Sequence, residues 1–212
     1  MKKILFVALL FLVMQSCITS LYPLYTENTL VTKKELVATW KDKEGMYWKF
    51  YQTDKSKKYH LRCRANNYYA EYEVGMVKIE GNYFLDIVMQ EQPISDEEAA
   101  RMKKEEEAQK NGKKGADNSD VGFLAYNIPG HSFYKLGFKG EKIYVYPFNE
   151  DYLKELFKQR KIRIKHENTD SSTTVLTAST KELQEFFQKY GNDAKLFDSD
   201  EPKILSKVTQ KN

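Results

Sequence analysis

Residues that could do chemistry are few in this chain, and they follow no known catalytic pattern. The three histidines, His60, His131 and His166, stand at no spacing that zinc sites use, and the two cysteines lie far apart. His131 is part of Gly130-His131-Ser132, which lacks the Gly-x-Ser-x-Gly turn of serine hydrolases. The sequence therefore predicts no metal ion and no cofactor, and it favours a protein that is not an enzyme.

Asp86 is the acid most open to a functional interpretation, because it is the one charged residue in the apolar run Tyr83–Met89. An apolar run of this kind indicates a sheet buried on both faces or a strand beneath a helix. One hypothesis makes Asp86 a buried acid satisfied by backbone groups or tyrosine hydroxyls. The other brings it together with Glu73 and His131 in a cleft. For His131 itself, capping its own turn and lining the mouth of a sheet both stay open.

Cys17 has surroundings that indicate a specific modification. A short basic start, Met1–Lys3, precedes the apolar run Ile4–Met14. Eleven helical residues rise only about 16 Å, roughly half of a bilayer core, so the run is too short to span a membrane. A run of this length after a basic start is typical of a signal peptide. Residues 1–16 are therefore predicted to be a signal peptide that ends just before the cysteine.

Gln15-Ser16-Cys17 resembles the lipobox of bacterial lipoproteins, and in particular the uncharacterised Bacteroidetes-type lipoproteins. The resemblance implies that the Cys17 sulfur receives a diacylglycerol, that residues 1–16 are removed, and that Cys17 becomes the N-terminus. Two or three acyl chains such as palmitate would anchor the protein durably, since each buried methylene contributes about 0.8 kcal/mol. Ile18 stands where an aspartate would resemble an inner-membrane retention signal, so the expected location is the outer membrane, facing the periplasm.

The charge balance argues against nucleic acid as a partner. The formal charge of +4 falls to +2 when Lys2 and Lys3 leave with the signal peptide. The basic run Arg160–Lys165 is accordingly interpreted as a solvated edge rather than a phosphate site. Cys63 then remains as the single thiol, so the fold depends on no internal disulfide, and we expect this residue in the core.

Alternation of apolar and polar residues predicts most of the secondary structure. The expected strands are Leu36–Trp40, Met46–Tyr51, Tyr59–Ala65, Tyr68–Ile79, Tyr83–Met89, Phe123–Tyr126, His131–Phe138, Lys142–Tyr146, Ile162–Lys165 and Val175–Ala178. Two amphipathic helices are expected late in the chain. Asn149 caps the first, over 149–160, while Ser179 and Glu182 form a capping box for the second, which ends at Gly191.

These elements predict an α+β, mainly β fold: an antiparallel meander curled into a barrel or sandwich, with the two helices on one side. Residues 17–33 are expected to be lipid anchor and tether, but Tyr22-Pro23-Leu24-Tyr25 is too aromatic for a pure linker, so docking of this stretch on the body is the alternative. The single β-rich domain is placed at 34–198, with a charged insertion at 91–120, and a flexible tail at 199–212. The insertion is interpreted as a solvated loop, or alternatively as a partner surface.

Leu36-Val37-Ala38-Thr39-Trp40 resembles the opening strand of lipocalin-like barrels, in which Gly-x-Trp closes the base of the barrel. Here Ala38 stands in place of the glycine. The resemblance covers five residues, and it implies a barrel with an interior that could hold a ligand. The helix at 149–160 departs from the lipocalin pattern because it interrupts the meander late.

The first functional hypothesis is a non-enzymatic envelope lipoprotein that is held to the membrane by its lipid and that binds a hydrophobic ligand or a partner protein. Its candidate lining residues, for which plain core packing is the competing interpretation, are Trp40, Trp48, Phe50, Tyr72, Phe84, Asp86 and His131. The alternative is a periplasmic hydrolase that uses acidic residues and a histidine in a cleft. A third hypothesis is an assembly role through the insertion.

Overall fold

The structure is a computed structural model that describes residues 18–53, 56–65, 68–89, 130–168, 174–197 and 202–208. Eight of its strands form a closed barrel in which every neighbouring pair is antiparallel. The barrel strands are β2 (Thr39–Lys41), β3 (Tyr47–Tyr51), β4 (Tyr59–Ala65), β5 (Tyr68–Ile79), β6 (Asn82–Met89), β7 (Ser132–Lys139), β8 (Lys142–Pro147) and β11 (Lys203–Lys207). The predicted fold, mainly β with an antiparallel barrel and two helices, is confirmed.

A small second sheet lies outside the barrel, in the order β1 (Ile18–Ser20), β10 (Thr174–Leu176), β9 (His166–Asn168). β1 runs parallel to β10, and β9 runs antiparallel to it. Two helices, α1 (Glu150–Lys158) and α2 (Thr180–Tyr190), complete the described elements together with a 3₁₀ turn at Lys34–Leu36.

The barrel interior is a cluster of buried side chains. Because strand residues alternate between two faces, one face of each barrel strand supplies this barrel core. Its buried members are Leu36, Trp40, Met46, Trp48, Phe50, Tyr59, Leu61, Tyr72, Val74, Met76, Leu85, Ile87, Tyr134, Leu136, Ile143, Val145 and Leu205. Cys63 packs against this cluster, as its alternation predicted.

An outer core forms where β5, β6 and β7 turn their other face away from the barrel. Val77, Phe84 and Phe133 pack there against the helices and the N-terminal segment. The ring of Phe187 in α2 meets the rings of Phe84 and Phe133 edge-on, with centroids 5.0 and 5.3 Å apart. The apolar run Tyr83–Met89 is explained by these two cores, since its strand is buried on both faces.

Both helices begin where their capping residues predict. The Asn149 side chain accepts a hydrogen bond from the backbone of Tyr152 at 2.9 Å. Ser179 and Glu182 form the reciprocal capping box of α2, and Gly191 follows the last turn of that helix. The carbonyl of Gly191 accepts a hydrogen bond from Lys135 of β7 at 2.9 Å, which ties the end of α2 to the barrel.

The N-terminal segment differs from the tether that the sequence predicted over 17–33. Ile18–Ser20 pair with β10, Leu24 and Leu30 are buried in the outer core, and the backbone of Val31 donates to Met76 at 2.9 Å. The alternative in which Tyr22–Tyr25 docks on the body is correct for Leu24 and Tyr25, but the sequence does not show the partners because they lie far along the chain. Cys17 and residues 1–16 lie outside the described residues.

The C-terminal segment also differs from its prediction as a flexible tail. Residues 203–207 form β11, which pairs with β2 on one side and β8 on the other and so closes the barrel. A single buried leucine, Leu205, fits no strand pattern by itself. The edges of β2 and β8 supply the backbone partners that make this segment a strand.

Three further expectations have mixed outcomes. The predicted first strand is instead the 3₁₀ turn followed by β2, and Ile162–Lys165 alternates in burial but forms no strand, since the adjacent strand β9 begins at His166. The strand predicted over Val175–Ala178 is β10, which begins one residue earlier and ends two residues earlier, at Leu176. The insertion at 91–120 and the strand Phe123–Tyr126 lie outside the described residues.

Removing the buried side chain of β11 tests how the barrel closes. We expect Leu205→Ala to lower the free energy of unfolding by about 2–5 kcal/mol, because it leaves a cavity in the barrel core. Leu205 is 0% exposed, whereas its neighbour Ile204 is 39% exposed. Ile204→Ala is therefore the matched control, with an expected change of about 0.5 kcal/mol or less. Urea unfolding measures both, and equal losses would contradict the closure by β11.

Candidate functional site

The predicted lining residues separate into three locations. Trp40, Trp48, Phe50 and Tyr72 lie in the barrel core, and Phe84 lies in the outer core. Asp86 and His131 meet on the outer face of the barrel, beneath the N-terminal segment. The seven residues therefore do not line one common site.

The tryptophans of the barrel core have their polar edges occupied. The indole nitrogen of Trp40 donates to the carbonyl of Leu36 at 3.0 Å, and that of Trp48 donates to the Asp42 carboxylate at 3.1 Å. Asp42 also accepts from the backbone of Met46 at 2.8 Å and from Lys203 of β11 at 3.4 Å. Satisfied indoles among apolar neighbours are typical of core packing, which is the role that these contacts support.

Asp86 and His131 are brought together by the pairing of β6 with β7. Asp86 is opposite Phe133, two residues beyond His131. A hydrogen bond of 2.6 Å joins Nδ1 of His131 to Oδ1 of Asp86, while Oδ2 accepts from the backbone N–H of Leu24, also at 2.6 Å. The Asp86 side chain is 1% exposed and that of His131 is 13% exposed. The carboxyl thus fastens a barrel strand to the N-terminal segment, and we call these contacts the Asp86 latch.

Burial raises the pKa of the Asp86 carboxyl above its usual range. The hydrogen bonds from His131 and from Leu24 act in the opposite direction, and the nearby charge of Glu73 adds to the rise. A buried carboxyl of this kind is stable because both of its oxygens have partners. The interpretation of Asp86 as a buried acid satisfied by a backbone group is correct, and its second partner is His131 rather than a tyrosine hydroxyl.

Glu73 lies close to the Asp86 latch but binds other partners. It accepts a hydrogen bond from the Tyr25 hydroxyl at 3.3 Å and forms an ion pair with Lys58 at 2.9 Å. The Tyr25 ring covers Gly75, where an added Cβ would overlap the ring. Glycine at this position therefore allows the N-terminal segment to lie directly on β5.

The hydrolase hypothesis requires Asp86, His131 and Glu73 to converge within hydrogen-bonding reach. Asp86 and His131 do so, whereas Glu73 is hydrogen-bonded to Tyr25 instead. An Asp–His pair can orient an imidazole as a general base, but it acts only with a nucleophile and an exposed second ring nitrogen. Among the described residues, no three histidine, cysteine or acidic side chains stand close enough to hold a metal ion.

A cleft of about 730 Å³ lies between α2 and the segment that joins α1 to β9. We call it the basic cleft. Its lining residues are Arg160, Lys161, Arg163, Ile164, Lys165, Glu182, Glu185, Phe186, Lys189 and Tyr190. The basic run Arg160–Lys165 was expected to be a solvated edge. Its cations instead form one wall of this concave surface. The alternation of Ile162 and Ile164 with charged residues was the signal that this run has one buried side.

Arg160, on the wall of the basic cleft, has a strained backbone. Its φ is +54°, in the left-handed region that favours glycine. The backbone of Arg160 donates to Phe157 at 2.9 Å and that of Lys161 donates to Leu156 at 3.0 Å, which is the hydrogen-bond pattern that ends many helices. An arginine therefore occupies a position after α1 where glycine would adopt the same backbone conformation at a lower cost in free energy.

The fold defines the class of this protein: a closed eight-stranded antiparallel barrel with a packed core and a helical layer on one outer face. The chain matches no protein-family model, and comparison with curated proteins and with solved structures gives no match. In the part of the chain that the structure describes, no helix combines the length and the apolar content that crossing a membrane requires.

The Asp86 latch can be tested by two substitutions, one that removes the side-chain acceptor of Leu24 and one that keeps it. We expect Asp86→Ala to lower the free energy of unfolding by about 1–3 kcal/mol, because the buried Leu24 N–H loses its acceptor. Asp86→Asn should lower the free energy of unfolding by a smaller amount, since its amide oxygen can still accept the hydrogen bond from Leu24. Hydrogen exchange across residues 18–31 should be faster in the alanine variant than in the asparagine variant. Identical exchange in the two would rule out the latch.

The strain at Arg160 predicts a stabilising substitution. Arg160→Gly should raise the free energy of unfolding by about 1 kcal/mol, because glycine adopts a positive φ without steric cost. Arg160→Ala removes the same charge but keeps a Cβ, so it should give no such gain. Thermal unfolding of both variants measures the difference, and an equal gain in both would assign the effect to charge rather than to strain.

Proposed function

We propose that this protein is a lipid-anchored envelope lipoprotein of the outer membrane, facing the periplasm, and that its barrel is a non-enzymatic binding module. The observation that carries the proposal is the position of Ile18, the first residue that the structure describes. Ile18, directly after the candidate acylation site Cys17, is already buried and paired with Thr174 of β10.

This position means that an acylated Cys17 would have no spacer. Adjacent Cα atoms are about 3.8 Å apart, so the lipid would be attached one residue from the outer core. At the end of β1, Ser20 and His131 exchange two backbone hydrogen bonds of 2.9 Å, and the backbone N–H of Leu24 donates to Asp86. The anchor would therefore hold the folded body directly at the membrane surface, and not at the end of a flexible chain.

The binding surface in this proposal is on the outside of the barrel. The contacts of Trp40, Trp48, Phe50 and Tyr72 support core packing, so we do not place a hydrophobic ligand among them. The outer face carries the N-terminal segment and the basic cleft, both formed from polar and apolar groups together. Binding to an envelope component through this face is the activity that the geometry favours.

A periplasmic hydrolase that uses Asp86 and His131 is the alternative, and it depends on the same 2.6 Å contact. We favour the binding module because Asp86 is already occupied by the backbone of Leu24 and is buried. A carboxyl that fastens the N-terminal segment has a structural role that accounts for its position.

Replacement of each cysteine in turn tests the anchor. Cys17→Ala should release the protein from the membrane fraction and abolish incorporation of labelled fatty acid, because the acylated sulfur is lost. Cys63→Ala is the matched control and should remain anchored. Cys63 packs against the barrel core, and burial raises the pKa of its thiol to about 12, which keeps it unreactive.

Mass spectrometry of the wild-type protein should in addition show a chain that begins at Cys17 and carries fatty-acyl groups. A Cys17→Ala protein that stays equally membrane-bound, together with a wild-type mass without acyl groups, would refute the proposal.

A further inference from the structure

We propose that the basic cleft binds the phosphate-bearing headgroup of an anionic phospholipid in the membrane that holds the anchor. This inference rests on the proposed function, since it takes acylated Cys17 as the attachment point. It deepens that function by naming the envelope component and the residues that meet it.

The charge of the basic cleft is the first support. Five cations and two carboxylates line it, and one carboxylate, Glu182, is already paired with Lys165 at 2.9 Å. The hydrogen bond to the Ser179 backbone, with those to Lys165 and the Ser179 hydroxyl, lowers the pKa of Glu182 to about 2, so it stays ionised in this pair. Glu185 has its own partner in Lys181 at 3.9 Å.

The remaining cations of the basic cleft are available to an anion. Within the described ranges, Arg160, Lys161 and Arg163 have no carboxylate partner, and Lys189 lies over the ring of Tyr190 with its nitrogen 4.9 Å from the centroid. All four side chains are exposed. A group of cations without matching anions attracts a negatively charged ligand, and arginine in particular matches the geometry of phosphate.

The packing beneath these cations fixes their direction. Ile162 and Ile164 are buried in the outer core, so Lys161, Arg163 and Lys165 project together to the other side. Residues two apart along an extended chain are separated by roughly 6.6 Å, so the three cations form a row. Ile164 and Phe186 supply an apolar floor, and Tyr190 adds an aromatic edge. This combination suits a headgroup with its attached glycerol better than a bare ion.

The strain at Arg160 gives independent support. A positive φ at arginine costs free energy that glycine would avoid, and backbone strain of this kind is enriched at functional sites. Arg160 is exposed and lines the basic cleft. The proposal assigns this arginine a role for its charge, which a glycine at the same position would lack.

The position of the anchor selects the membrane as the source of the anion. β1 and β9 are separated by β10, which places them roughly 10 Å apart. Ser20 and His166 both pair with Leu176 of β10, so they lie at the same height in the sheet. Lys165 is one residue further along than His166, and Ile18 is two residues back from Ser20. The two are therefore offset by about three residues, or roughly 10 Å, along the strand direction. The Cα atoms of Ile18 and Lys165 are thus about 14 Å apart by this geometry. This end of the row of cations would therefore lie beside the headgroups around an anchored Cys17.

The two interactions would act together. Acyl chains hold the protein in the bilayer, while a basic surface adds attraction to anionic lipid that is worth about a fivefold preference for each cation near the surface. This attraction is short-ranged because salt screens it within about 8 Å. The anchor would therefore bring the basic cleft close enough to anionic headgroups to be attracted to them. The cleft would then determine how the folded body is oriented on the membrane.

The test uses the acylated wild-type protein inserted into two kinds of vesicle, phosphatidylcholine alone and phosphatidylcholine mixed with phosphatidylglycerol. An amine-reactive reagent followed by mass spectrometry measures how fast each lysine is modified. Lys161 and Lys189 should react about fivefold more slowly in the anionic vesicles. Lys142 and Lys207, which are exposed and lie outside the cleft, should react equally in both, and added salt should remove the difference.

Two triple variants with the same loss of charge provide the control. Arg160→Gln, Arg163→Gln and Lys189→Gln together should abolish the protection of Lys161. The combination of Lys139→Gln, Lys142→Gln and Lys207→Gln, all away from the basic cleft, should leave that protection intact. Circular dichroism of each variant checks that the fold is retained, as expected for exposed side chains.

Each other outcome has a defined meaning. Protein that enters neither kind of vesicle and carries no acyl groups refutes the anchor itself. Protein that enters both with equal labelling of Lys161 overturns the lipid site while leaving the anchor intact. Equal protection by inorganic phosphate in phosphatidylcholine vesicles, or loss of protection in the control variant, also overturns it, because the cleft would then bind a free anion or respond to overall charge.

Discussion

Closure of the barrel by β11 is the constraint on which the rest of the structure depends. The strand joins β2 to β8 through antiparallel pairing, and Leu205 enters the barrel core from it. Lys203 of the same strand reaches Asp42, which also holds the indole of Trp48. An open sheet would leave the edges of β2 and β8 without partners and expose one side of the barrel core.

The packed barrel core is the reason why the proposed binding surface lies outside the barrel. Large aromatic side chains occupy the interior, and the indoles of Trp40 and Trp48 already have hydrogen-bond acceptors. On that surface, β5 to β7 contribute a second apolar face, which the helices and the N-terminal segment cover. The segment that carries the candidate anchor is thereby part of the same outer layer as the basic cleft.

The Asp86 latch connects the N-terminal segment to the barrel. The Asp86 carboxyl accepts a hydrogen bond from the backbone of Leu24, and its partner His131 exchanges backbone hydrogen bonds with Ser20. Burial of a carboxyl is costly, and it is tolerated here because both oxygens are bonded. As a result, residues 18–31 are held in a fixed position on the barrel, which a flexible tether could not provide.

The sequence by itself determined the mainly β class, the caps of both helices and the burial of Tyr83–Met89 on both faces. These depend on local periodicity and on side chains that bond to neighbouring backbone, so they can be read from short stretches. The leader pattern before Cys17 is also a property of the sequence, and its role stays a prediction. The sequence also identified Asp86 and His131 as candidates, and one of its hypotheses brought the two together, although with Glu73, which binds Tyr25 and Lys58 instead. Only the tertiary structure decided that residues 18–31 are folded, that 203–207 close the barrel and that Arg160–Lys165 line a cleft. Each of these requires partners far along the chain, and the sequence does not show which distant strands and helices will meet.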